Sequence, residues 1–243
     1  INMSGVNSIN WARIIAQAVY YFYSYFKLDK ETVSFSVPTG NFGDVFAGYL
    51  AKKMGLPIDK LIVATNKNDI LHRAISKGDY VSKEVKETLS PSMDIQLASN
   101  FERLIYYINN SDSSKTAEIM KKINQNSYQI EKSNLDNIQK DFLSESCNEQ
   151  ETLDIIKKNY EENNIILDPH TAIGVGAAKK LSFNDCVVLS TAHPSKFPDA
   201  TNDAINRCEE LPRELQHVLN ENENFQVLKN NAEDVKNFVK SKV

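Results

Sequence analysis

Between Ser36 and Asp44 the chain reads Ser-Val-Pro-Thr-Gly-Asn-Phe-Gly-Asp. A β-type run, Thr32 to Val37, precedes this stretch, and an apolar-periodic helix, Val45 to Met54, follows it. A Gly-rich turn between a strand and a helix start is suited to an anion. The first N–H groups of the helix lack intrahelical partners, and the helix dipole favours negative charge there. Gly40 and Gly43 would let the backbone approach a phosphate with no Cβ in the way, and Asp44 is placed to cap the helix. The spacing is neither the Walker pattern nor the dinucleotide fingerprint, which points to another phosphate, such as that of a cofactor. A plain strand-to-helix connection has the same spacing. A second polar turn, Thr191-Ala192-His193-Pro194, closes another apolar run, Cys186 to Ser190, which predicts a buried strand. Ligands of open α/β sheets bind at the carboxyl ends of strands, so both turns are expected to face one crevice.

The elements that position these turns follow from periodicity. Asn7 to Phe26 predicts a helix, with Trp11, Ile14, Ile15, Ala18, Val19, Phe22 and Phe26 at helical spacing; its apolar stripe is wide enough to imply burial. Leu61 to Thr65 is a continuous apolar run of strand length, suited to a parallel sheet covered on both faces. Asn68 to Ser76 predicts a short helix, Ser90 to Ser92 a loop, and Asn100 to Asn109 a helix. Strand, helix, strand, helix is an α/β pattern. We expect three layers, with a mostly parallel sheet flanked by helices. From 110 to 164 the composition turns to Asn, Lys, Glu, Ser and Gln without Gly or Pro. It predicts a helical insertion, with helices at Thr116 to Gln125 and Glu149 to Glu162, and disorder at Asp112 to Ser114. Ile165 to Leu167 predicts a short strand and Ala172 to Leu181 a helix; the tail from Pro212 predicts charged helix. The division is 1–109 and 165–243 as parts of one large domain, with 110–164 inserted.

The 243 residues are enough for a substantial core. With 28 basic and 32 acidic residues the net charge is −4, and no basic stripe appears, which argues against nucleic acid. No apolar run is long enough to span a membrane. Cys147, Cys186 and Cys208 have no metal-ligand spacing, and their odd number fits a reducing, cytoplasmic setting. The chain starts at Ile1 inside a patterned segment, as expected for the C-terminal part of something longer.

Seven motifs occur in order: Asn7-Ser8-Ile9-Asn10-Trp11-Ala12-Arg13, Pro38 to Asp44, Ala64-Thr65-Asn66-Lys67-Asn68-Asp69-Ile70, Leu89-Ser90-Pro91-Ser92-Met93-Asp94-Ile95, Asn100-Phe101-Glu102-Arg103-Leu104, Asp168-Pro169-His170-Thr171-Ala172 and Ser190-Thr191-Ala192-His193-Pro194. Together they resemble the long-form threonine synthases, from the first residues to about Pro198. The resemblance implies an incomplete fold-type II enzyme dependent on pyridoxal 5′-phosphate (PLP), which converts O-phospho-L-homoserine and water to L-threonine and phosphate. It implies that Gly40, Asn41, Phe42, Gly43 and Asp44 hold the PLP phosphate, with Asn41 also open to a substrate role. Thr191 would meet the pyridine nitrogen. Asn7, Ser8 and Arg13 would take the substrate phosphate, a task suited to a guanidinium, which grips phosphate bidentately. In the family the lysine that carries PLP lies in a segment before the Asn7 motif. Lys67, Lys179 and Lys196 are not expected to replace it. The chain alone is therefore expected to be inactive and to need that missing N-terminal segment as its partner. A related phospho-lyase and a non-catalytic phosphate- or PLP-binding remnant remain alternative readings. His170 and His193 receive no assigned role.

Overall fold

A computed structural model describes residues 7–242. Two compact units divide the chain, one covering residues 7–209 and the other containing 210–242.

In the first unit the apolar runs form a parallel sheet. Its strands are β1 (Val33–Pro38), β2 (Ile58–Thr65), β3 (Phe142–Ser146) and β4 (Val187–Val188), in the order β3-β2-β1-β4. All three pairings are parallel. The helices are α1 (Trp11–Lys27), α2 (Gly43–Lys53), α3 (Ile70–Lys77), α4 (Phe101–Ile108), α5 (Ser113–Asn124), α6 (Lys132–Asp141), α7 (Glu149–Asn163), α8 (Pro169–Lys180) and α9 (Pro198–Ile205). β2 shows why the sheet needs cover on both faces. Leu61 and Val63 enter a large core shared with α1 to α6, while Ile62 and Ala64 enter a smaller one with Ile173 and Ala177 of α8. The fold is therefore the expected three-layer α/β arrangement.

From β1 the chain moves outward to β2 and β3, then returns to set β4 on the other side of β1. This change of direction falls between β1 and β4, so their carboxyl ends flank a crevice.

Several local expectations need correction. The 110–164 stretch is not only helical, because it supplies β3 as an edge strand paired with β2. The strand is short, and Ser144, Glu145 and Ser146 dilute its apolar signal. Asp112 to Ser114 is ordered by a cap, with the Asp112 side chain accepting from Lys115 N–H at 2.9 Å. Ile165 to Leu167 is not a strand but a linker between α7 and α8. Cys186 to Ser190 forms only the two-residue β4, half-buried because it pairs on one side.

α1 is the largest departure. Ile14, Ala18 and Tyr21 are buried, but Trp11, Ile15, Val19, Tyr23 and Phe26 are exposed, Phe26 by 74%. The wide stripe covers more of the helix than this unit can bury. No helix among the described residues is long and apolar enough to cross a membrane. The second unit carries a 3₁₀ segment, Arg213–Asn220, and α10 (Ala232–Lys240), separated by non-helical residues.

Candidate functional site

The turn after β1 is fastened to its neighbours before it reaches α2. Thr39 donates its N–H to Ala64 O at 2.8 Å and its hydroxyl to Val37 O at 2.6 Å. Gly40 is required by close approach, since a Cβ there would lie 2.5 Å from the carbonyl oxygen of Ser92. The partner that demands glycine is thus the protein's own 90–93 loop. Phe42 takes a left-handed conformation, φ 65°, ahead of the helix. A bulky residue there costs about 1–2 kcal/mol. Its ring is fully buried against Phe101 and Phe142, at centroid distances of 5.2 and 5.9 Å, which offsets that strain.

No side chain caps α2. The expected cap, Asp44, is inside the first turn and faces α1 instead. Tyr21 Oη donates to its backbone oxygen at 2.8 Å and to its carboxylate at 3.2 Å. Burial pushes the Asp44 carboxyl up to about 6, with the Tyr21 bond opposing. Burial and the neighbouring Asp44 raise Tyr21 well above the usual phenol value. α1 can come this close because Gly48 of α2 lacks a side chain where the Tyr21 ring packs. Asn10 starts α1, accepting Ala12 N–H at 2.9 Å, and so sets where Arg13 and Gln17 leave the helix.

Two adjoining cavities result. The first, about 160 Å³, is lined by Ser8, Arg13, Gln17, Ser92 and the whole Pro38 to Asp44 turn. The second, about 470 Å³, is lined by Gln17, Asp44, Tyr20, Tyr23 and the Leu189 to Thr191 end of β4. Gln17 and Asp44 belong to both walls. The first suits a tetrahedral anion: it combines an uncapped helix start, which leaves N–H groups without intrahelical partners, with a guanidinium. The residues lining the first cavity therefore suit a phosphate group.

Of the residues expected at the site, Ser8, Arg13 and Gly40 to Asp44 meet at the first cavity. Thr191 lines the second. Asn7 lines neither; its side chain accepts Ile9 N–H at 3.1 Å. Gln17 and Ser92 were missed. Gln17 lies four residues after Arg13, on the same helix face, and that spacing was a usable signal. Ser92 comes from a loop far along the chain, whose approach no local pattern reveals. His193 makes a local turn, its Nδ1 2.7 Å from Ser195 Oγ, and lies outside both cavities.

The parallel sheet flanked by helices is shared with solved fold-type II PLP-dependent threonine synthases. The chain is 44% identical to a PLP-bound threonine synthase from Brucella melitensis, superposing with a TM-score of 0.91 over 98% of this chain and 52% of that one. A yeast threonine synthase structure gives 43% identity and 0.87 over 99% and 54%. The Saccharomyces cerevisiae threonine synthase sequence is 47% identical over 89% of this chain and 48% of its own length. The family description "Threonine synthase, C-terminal" matches residues 171–239. The chain belongs to the threonine synthase family and corresponds to a C-terminal portion of it. It spans about half the length of the relatives it matches.

Proposed function

We propose that this chain supplies the phosphate-facing half of a threonine synthase active site, acting on O-phospho-L-homoserine and water to give L-threonine and phosphate. The observation that carries this reading is the pair of adjoining cavities at the β1/β4 crevice, walled jointly by Gln17 and Asp44. The Gly40 to Asp44 turn would hold the cofactor phosphate through the start of α2. Thr191 would approach the pyridine nitrogen as a neutral hydroxyl partner. PLP, when bound, supplies the electron sink for the carbon chemistry. Ser8 and Arg13 would grip the substrate phosphate, and Asn7 would order the entry to α1. Three free cysteines fit a cytoplasmic setting.

The partner in this reading is the remaining portion that its relatives carry and that holds the PLP lysine. The exposed stripe of α1 and the unpaired side of β4 are the surfaces on which it would dock. The large domain would combine residues 1–109 and 165–243, with 110–164 adding helices and the β3 edge.

The test is a chimera in which this chain replaces the matching half of the Saccharomyces cerevisiae enzyme. It should form threonine. In it, Arg13→Ala should raise KM for O-phospho-L-homoserine about tenfold or more, the scale of a lost charge-assisted hydrogen bond, with PLP affinity nearly unchanged. A chimera that folds and binds PLP but forms no threonine would reject the reading. Equal losses for substrate and cofactor would remove Arg13 from the substrate phosphate.

A further inference from the structure

Behind the phosphate turn lies a buried histidine that the proposed reaction does not use. His170 is 3% exposed, in the first turn of α8. Its Nδ1 is 3.0 Å from Asp168 Oδ1, and Asp168 is itself 1% exposed. That carboxylate also accepts the N–H groups of His170 and Thr171, at 2.9 and 3.3 Å, and the Thr171 hydroxyl. On the other side of the ring, Ser92 donates its N–H to His170 Nε2 at 3.3 Å. The Phe197 ring packs against the imidazole at 4.7 Å. A carboxylate on Nδ1 and an N–H donor on Nε2 together select one neutral tautomer, protonated on Nδ1.

Ser92 is where this chain of bonds meets the site. It lines the first cavity, and its carbonyl oxygen occupies the space a Gly40 Cβ would need. The residue two earlier, Ser90, is held by Asn66 Nδ2 at 2.9 Å. The loop is therefore pinned at Ser90 by Asn66, the residue just past β2, and at Ser92 by His170 of α8.

We infer that His170 is a positioning residue: oriented by Asp168, it holds Ser92 against Gly40 and thereby fixes the shape of the Gly40 to Asp44 turn. The consequence for phosphate binding rests on the reading of the first cavity proposed above; the hold on the turn does not.

The two ring nitrogens can be replaced separately. Glutamine can place an acceptor near the Nε2 position and so keep the Ser92 bond. Asparagine can keep a donor near Nδ1 for Asp168 but cannot reach Ser92. Amide hydrogen exchange and phosphate titration of this chain, both followed by NMR, read the difference. In His170→Asn, the amides of Ser92 and the 40–44 turn should lose protection by about tenfold, and affinity for inorganic phosphate should fall by a similar factor. His170→Gln should stay within about threefold of wild type on both. A purely structural histidine would make the two variants alike. Equal effects in both variants, or unchanged turn amides in His170→Asn, would overturn the inference. So would long-range ¹⁵N correlation placing the wild-type proton on Nε2. If the amides respond as expected but wild type binds no phosphate, the positioning role stands and the phosphate reading of the cavity falls.

Discussion

Asp44 is the residue whose environment most constrains the site. Its carboxyl, ordinarily near 3.8, is raised to about 6 by burial. A folded-state value above the unfolded one means that its contribution to stability is fully present below about pH 4 and is lost as pH rises through 6. Asp44→Asn keeps an acceptor for Tyr21 and removes the buried charge. It should stabilise the chain at pH 7 by about 1–2 kcal/mol, less than the full shift implies because the cavity admits water. The gain should vanish toward pH 4. Urea unfolding of both proteins across this range checks it, and a constant difference would disprove the assignment. At this scale the sequence was legible wherever chemistry and chain order coincide. Gly40 to Asp44 could be read because a strand, glycines and a helix follow one another. The capping role of Asp44 could not, because its actual partner, Tyr21, lies 23 residues earlier. Gly40 was expected to admit a phosphate; the group that approaches it in the structure is the Ser92 carbonyl.

Among the elements, α1 and α2 decide whether Arg13 and Gln17 stand over the turn. Their contact depends on Gly48, where a Cβ would come within 2.5 Å of Tyr21 Cε1 and 2.9 Å of Leu61 Cδ2. Gly48→Ala should therefore destabilise by about 1–2 kcal/mol, the overpacking cost exceeding the better helix propensity of alanine. The expected signature is a lower urea midpoint at unchanged slope; a raised midpoint would show that α1 shifts without strain. α1, α2, α4 and α8 begin and end within a few residues of where the sequence places them; α1 and α4 bury one face, whereas α2 and α8 are buried almost all round. β3 was missed, and β4 is shorter than the expected strand, for one physical reason. Edge strands pair on one side only, so they need neither length nor an unbroken apolar run.

For the whole molecule, the proposed function links the exposed apolar face of α1 to the portion of the relatives that this chain does not match. Val19 and Tyr23, 61% and 63% exposed, test that link. Replacing both with glutamate should change the stability of this chain by no more than about 0.5 kcal/mol per site, as for ordinary surface positions. It should abolish association with the complementary half of the yeast enzyme in a co-purification assay. Retained association would place the contact elsewhere. The burial of α1 was overestimated because a periodic stripe reports that a face needs cover, not which segment provides it.

The short β4 gives the crevice two walls of unequal firmness. The β1 side is tied into a sheet with a core on each face, while the β4 side joins it through two residue pairs and the bond from Leu189 N–H to Ser36 O. Local opening follows the least-bonded segment first. The Thr191 wall should therefore breathe while the Gly40 to Asp44 turn stays shut, so that, on the proposed reading, a ligand would be anchored first by its charged end. Binding would then proceed like a hinge closing on a fixed jamb, with the order of contacts set by how few rungs hold the last strand.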